Sequence, residues 1–173
     1  KIISELCQNH NGDRDILERM IKTAAVCSDI VKIQSIKANT FTFREEYESF
    51  RPYEPEFLRL KGLELSREDE EFFISKCTEY GVESMTTIFV PEHAPMFNSL
   101  RYDNLKLSGY SIPAFEYGLK LKNFKFKKLF FSTSSLTLEE IKETVKNLNK
   151  MRIEYYMLQC TCVYPTPLSK LNL

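Results

Sequence analysis

The sequence predicts an α/β fold, a (β/α)8 barrel of the TIM type with about six of its eight strands present in residues 1–173. Three observations predict it. Six short apolar stretches recur along the chain, and each runs into a polar residue of useful chemistry. Amphipathic helical stretches separate most of them, the alternation that builds parallel sheets. The turn after the first stretch, Gln8-Asn9-His10-Asn11-Gly12, has a single glycine, whereas the rival open, doubly wound sheet usually opens with a glycine-rich phosphate turn. The last two strands of the barrel are then expected outside these residues.

The first strand is Ile2-Ile3-Ser4, running into Glu5. Asp13 is placed to cap a helix whose apolar set, Ile16, Leu17, Met20, Ile21, Ala24 and Ala25, has helical spacing. Asp29-Ile30-Val31 then runs into Lys32. Residues 35–65 form a long, aromatic and charged segment with Pro52 and Pro55, read as an extended loop between the second strand and the next helix, a lid or binding loop. Ser66-x-x-Asp69 imitates a capping box, and Gly81 suits the left-handed stop of the helix carrying Phe72, Phe73, Cys77 and Tyr80. Val82 to Met85 runs into Thr86-Thr87. Pro91 suits the first turn of a short helix holding Met96 and Phe97, and Pro113 that of another reaching Leu121. Between them Asn104-Leu105 runs into Lys106, with Ser108 close behind. Lys128 to Phe131 runs into Ser132-Thr133, Thr137-x-x-Glu140 is a capping box, and Tyr155 to Leu158 runs into Gln159, Cys160 and Thr161.

Composition narrows the function. Lys plus Arg and Asp plus Glu are equal at 24 each, which argues against nucleic acid or an anionic membrane as a partner held by global charge. No apolar run approaches the roughly 20 residues of a membrane span, and no secretory signal pattern is visible. Opening at Lys1 without Met leads us to expect that the true start is missing. Five cysteines are an odd number. Cys7, Cys27 and Cys77 read as small buried hydrophobes, with no disulfide framework, and a cytoplasmic location is expected. Cys160-x-Cys162 is too tight for zinc spacing.

The chemistry is expected at the carboxyl ends of the strands. Glu5 needs a cation, hydroxyl or ligand to offset its desolvation. Lys32 and Lys106 hold equivalent places on strands two and four, and two inward ammonium groups point to an anionic substrate. Thr87, Ser108, Ser132 and Thr133 supply neutral donors for a phosphate- or carboxylate-binding rim. The same lysines also permit a Schiff-base aldolase. His10, in the first βα loop, is a candidate substrate contact, whereas His93 reads as structural or exposed. Tyr164-Pro165-Thr166-Pro167 is a rigid turn that could aim Tyr164 at the barrel mouth.

Several motifs in order resemble one family. Glu5 followed by Asn9-His10-Asn11-Gly12-Asp13, Val31-Lys32-Ile33-Gln34, Leu63-Glu64-Leu65-Ser66, Thr86-Thr87-Ile88-Phe89, Ser132-Thr133, Thr137 to Ile141, and Cys160-Thr161 through Pro167 are similar to those of the sialic acid synthases. That family makes N-acetylneuraminate, legionaminate and pseudaminate. The resemblance implies a barrel enzyme that condenses phosphoenolpyruvate with an N-acylated amino sugar of the N-acetylmannosamine type and releases phosphate. It also implies a divalent metal, Mn²⁺ or Mg²⁺, with ligands beyond Leu173 and none in this chain. A homodimer is expected at full length. A C-terminal antifreeze-like domain, which the family has, is absent from these residues. Carried over by motif, Lys32, Thr87 and Lys106 would hold phosphoenolpyruvate, Ser132 its phosphate, Glu5 the sugar, and Gln34 and Tyr164 would line the pocket. The chain departs from the pattern at Tyr110, Ser134 and Cys162, which keeps open a degenerate, non-catalytic homologue acting as a sugar-binding or assembly subunit.

Overall fold

The computed structural model describes residues 1–40, 45–49, 52–89, 93–108, 121, 125–163 and 165–171. The elements are β1 (Ile3–Cys7), α1 (Arg14–Ala24), β2 (Ile30–Gln34), α2 (Tyr53–Gly62), α3 (Arg67–Glu79), β3 (Glu83–Ile88), α4 (Ala94–Ser99), β4 (Asn104–Leu107), β5 (Lys128–Ser132), α5 (Leu138–Met151) and β6 (Tyr155–Leu158). The strands form one sheet in the order β1-β2-β3-β4-β5-β6. Each pairing whose register is described is parallel. A doubly wound sheet reverses its strand order at a switch point. Here the order never reverses, so the chain carries six strands of the β/α-barrel succession. Among the described residues no helix is long and apolar enough to cross a membrane.

The chain divides into two compact units, Lys1–Ser84 and Met85–Leu173. In the first unit, Ile30, Val31 and Ile33 of β2 are wholly buried, as a parallel strand covered on both faces must be. α1 turns Leu17, Ile21 and Ala24 inward, and each large aliphatic side chain buried this way contributes about 1.5–3 kcal/mol. Asp13 caps it by accepting the Ile16 N–H at 2.9 Å. The box before α3 is complete: Ser66 Oγ accepts the Asp69 N–H, and the Ser66 N–H donates to Asp69 Oδ2. Asp69 also takes Arg14 of α1. Gly81 turns the chain after α3 at φ +73°, a conformation that suits glycine because it has no Cβ.

The segment 35–65 is where the structure departs most from the sequence reading. It is not one loop. It holds two 3₁₀ turns, Ala38–Thr40 and Glu45–Tyr47, and the whole of α2. The prolines mislead: Pro52 is the cap of α2 and Pro55 lies in its first turn, where the missing N–H has no intrahelical partner to lose. Ile36, Ala38, Leu60 and Leu65 are buried, and the Ala38 N–H donates to Glu64 Oε1 at 2.6 Å.

In the second unit, Thr87 pairs with Lys106, Lys106 with Phe130, and Ser132 with Leu158. Leu105, Leu107, Leu129 and Phe131 are buried within it. α4 holds Met96 and Phe97 as expected, but the proline in its first turn is Pro95. Thr137 and Glu140 complete the capping box of α5. Tyr156 and Met157 of β6, the last strand of the sheet, are about half exposed. None of the five cysteines forms a disulfide; Cys77 is buried, but Cys7 is only half-buried and Cys27 is exposed, so the last two are not core residues. Pro91, the helix expected from Pro113, Tyr110 and Tyr164 lie outside the described residues.

Candidate active site at the strand ends

In the first unit the carboxyl end of β1 is reshaped by a bulge. Glu5 pairs with Lys32, but the next partner of Ile33 is Cys7, so Leu6 is an extra residue that bends the strand and re-aims its last side chains. Cys7 sits at φ 53°, a left-handed conformation that costs a residue with a Cβ about 1–2 kcal/mol. Glu5 Oε1 compensates locally by accepting the Cys7 N–H at 2.9 Å. Its other oxygen, Oε2, forms an ion pair with Lys32 Nζ, and the Lys32 side chain is only 6% exposed against 37% for Glu5. The buried member of the pair is therefore the cation. Burial, then the charge of Glu5, pushes the Cys7 thiol up, which keeps it protonated and poorly nucleophilic.

A polar relay extends from this end. Gln8 Nε2 donates to Gln34 Oε1 at 3.0 Å, and Gln34 Nε2 contacts Cys7 Sγ at 3.7 Å. Arg59 of α2 donates to Gln8 Oε1 at 3.2 Å and is forked onto Glu56. Gln8 and Arg59 escape a reading of the sequence, because one comes after the strand and the other lies in the segment read as a loop. His10 is placed differently from expectation. It is fully buried, and its Nδ1 accepts the Gly12 N–H at 3.0 Å, so the proton rides on Nε2, a buried atom without a hydrogen-bond partner. Burial pushes this imidazole down, against the opposing pull of Asp69. His10 builds the β1–α1 turn rather than lining an open surface.

In the second unit the pleat sorts the side chains. Thr87, Lys106 and Phe130 are in register, and Ser132 lies two residues beyond Phe130, so all four share one face of β3–β4–β5. Thr87 and Ser132 are buried. Lys106 is half-buried, and no hydrogen-bond or ion-pair partner is found for its ammonium among the described residues. A half-buried cation with no counter-ion among the described residues, flanked by hydroxyl donors, suits an anion. Ser108, two residues past Lys106, is half-buried. Thr133 is otherwise engaged: its hydroxyl donates to Leu158 O at 3.2 Å and Gln159 Oε1 at 3.4 Å, tying β5 to β6. A second cationic cleft, lined by Lys127, Lys150 and Arg152 with Glu154, lies at the amino ends of β5 and β6, away from the strand ends that carry Lys106 and Ser132.

Two lysines are expected to demand an anionic ligand, but the structure divides them. Lys32 already has Glu5, so Lys106 alone carries that argument. Among the described residues no group of three or more His, Cys, Asp or Glu side chains is placed to hold a metal ion. The strand-end donors are ammonium and hydroxyl groups, which suit anions, and the one carboxylate among them is taken by Lys32. These strand-end residues do not fit a metal site.

Known proteins share this arrangement of strands. The chain is 31% identical to N,N'-diacetyllegionaminic acid synthase of Legionella pneumophila over 99% of its own length and 51% of that protein. It is 27% identical to N-acetylneuraminate-9-phosphate synthase of Mus musculus, over 99% and 49%. It thus spans about half the length of the curated relatives it matches. The crystal structure of N-acetylneuraminic acid synthetase from Leptospira borgpetersenii superposes with a TM-score of 0.77 at 19% identity, covering 98% of this chain and 57% of that one, a likeness of fold. The NeuB family model matches residues 20–173. With that match over most of its length, the chain belongs to the NeuB family, the sialic acid synthases.

Proposed function

We propose that this chain is the phosphoenolpyruvate-binding part of a synthase that joins phosphoenolpyruvate to an N-acylated amino sugar of the N-acetylmannosamine type, giving a nine-carbon sialic-acid-like product for surface polysaccharide. The observation that carries the reading is Lys106: a half-buried ammonium with no counter-ion among the described residues, on one sheet face with Thr87 and Ser132, in a member of this family. Lys106 supplies charge to the anionic substrate, while Thr87 and Ser132 donate to its oxygens.

In the reaction, C3 of the enolpyruvyl group forms a bond to the sugar aldehyde carbon, and the aldehyde oxygen takes up a proton. Water adds at C2 and loses a proton. The C2–O bond to phosphate then breaks, leaving a ketone and inorganic phosphate. Negative charge builds on the departing phosphate, so fixed donors there stabilise the transition state more than the ground state. Glu5, whose carboxylate still reaches solvent in its pair with Lys32, serves as the acid/base group on the sugar side. Lys32 is already engaged by Glu5 and its side chain is 6% exposed, which opposes its use as a Schiff-base amine open to a carbonyl substrate.

The test is release of phosphate from phosphoenolpyruvate by the full-length protein with Mn²⁺, with and without N-acyl mannosamine-type sugars. Release that depends on the sugar supports the reading. No sugar-dependent release across such sugars, with phosphoenolpyruvate still bound, favours a binding or assembly subunit instead.

A further inference from the structure

The turn after β5 holds a hydroxyl that neither the fold nor the proposed reaction uses. Ser132 Oγ and Ser134 Oγ lie 2.7 Å apart, and the Ser134 N–H also donates to Ser132 Oγ at 3.3 Å. A serine hydroxyl has one proton and two acceptor sites. If Ser134 Oγ donates across the pair, both acceptor sites of Ser132 are filled, by the N–H and the O–H of the same residue. Only the Ser132 proton is then left to meet a ligand. If the donation runs the other way, the spare proton sits on Ser134. In either arrangement the pair keeps one free O–H. The first arrangement puts that proton on Ser132, on the face that also carries Lys106. Ser132 is 4% exposed, so protein groups rather than bulk water decide which arrangement holds.

We infer that Ser134 is a positioning residue for Ser132: by filling its lone pairs it makes Ser132 a one-way donor, aimed at a phosphoryl oxygen. The inference rests on the reading of this face as the phosphoenolpyruvate site. Ser134 itself need not touch the ligand. It removes the choice that a lone serine has between giving and accepting, and so suits a ligand atom that accepts, most strongly a charged phosphoryl oxygen. Backbone donation alone fills one acceptor site, which leaves Ser132 free to accept as well as donate.

Calorimetric titration of the full chain with phosphoenolpyruvate, and separately with pyruvate, tests this in wild type, Ser134→Ala, Ser134→Thr and Ser132→Ala. Ser134→Ala is expected to weaken phosphoenolpyruvate about five- to tenfold, the size of one lost hydrogen bond in a charge-assisted set. Ser134→Thr restores the hydroxyl and is expected to stay within about twofold of wild type. Pyruvate has no phosphoryl group, so its affinity should not move. An equal loss for both ligands in Ser134→Ala would mean a structural role and overturn the inference. If Ser132→Ala weakens phosphoenolpyruvate while Ser134→Ala does not, the positioning role is wrong and the site stands. If neither variant changes phosphoenolpyruvate affinity, both the site and the positioning role fall. Thermal unfolding of each variant identifies any loss that comes from misfolding, and Ser134→Thr then decides the question.

Discussion

Burial, more than charge, sets what each titratable side chain at these strand ends can do. Lys32 and Lys106 look alike in the sequence, but Lys32 is buried against Glu5 and Lys106 stands without a counter-ion among the described residues. The pair at Glu5 is also asymmetric, because water reaches the carboxylate and hardly reaches the ammonium. Removing the carboxylate strands a buried cation, whereas removing the cation leaves an anion that water can solvate. Glu5→Gln is therefore expected to lose about 2 kcal/mol of stability, below the range for a fully buried pair, while Lys32→Met loses less than about 1 kcal/mol. Urea unfolding of the two variants checks the order. The reverse order would mean that the exposed carboxylate, not the buried ammonium, dominates the pair.

Secondary structure elements show what was legible in the sequence and why the rest was not. Every strand position was readable, but an apolar run stops at its first polar residue only when read as letters. Glu5, Lys32, Thr87, Lys106 and Ser132 all lie inside β1 to β5, because a strand needs backbone pairing and not an apolar side chain at each place. The polar residues at these strand ends are those that composition cuts off. Caps were legible because their chemistry is local: Asp13, Ser66 and Thr137 each accept the expected backbone N–H. The bulge at Leu6 and the left-handed Cys7 leave no mark, since no glycine or asparagine stands there. α2 is hidden because two prolines outweigh a weak helical pattern. Ser66→Ala removes the cap of α3 and loosens Asp69, which also holds Arg14 of α1. It is expected to cost about 1 kcal/mol, measured as a shift in the denaturant midpoint. A cost near zero would mean that Asp69 and Arg14 hold the α3 start without the cap.

For the whole molecule, the shifted carboxylates and His10 agree in direction, all held low. The Lys76 and Tyr80 bonds hold Glu18 low, and the backbone and hydroxyl of Thr137 do the same for Glu140. Burial opposes ionisation of Asp69, but its bonds to Ser66 and Arg14 outweigh it. His10 is pushed down by burial. A depressed carboxylate adds stability above its unfolded value and loses it as pH falls through the folded one. A depressed imidazole is neutral when folded, so unfolding takes up a proton as pH falls below about 6.5. Stability should therefore fall steadily as pH drops from about 7 toward about 3, with the His10 share lost first. His10→Gln should flatten the upper part of that curve and leave the lower part in place. An unchanged slope between about pH 6.5 and 5 would contradict the burial of the imidazole.

The most direct measurement of the central claim is titration of phosphoenolpyruvate into the ¹⁵N-labelled chain, monitored through the amide resonances. The account predicts one saturable set of shifts at Thr87, Lys106 and Ser132, absent in Lys106→Ala and not reproduced by pyruvate at the same concentration. Shifts that gather instead around Lys127, Lys150 and Arg152, at the cleft on the amino ends of β5 and β6, with Lys106 unmoved, would contradict it.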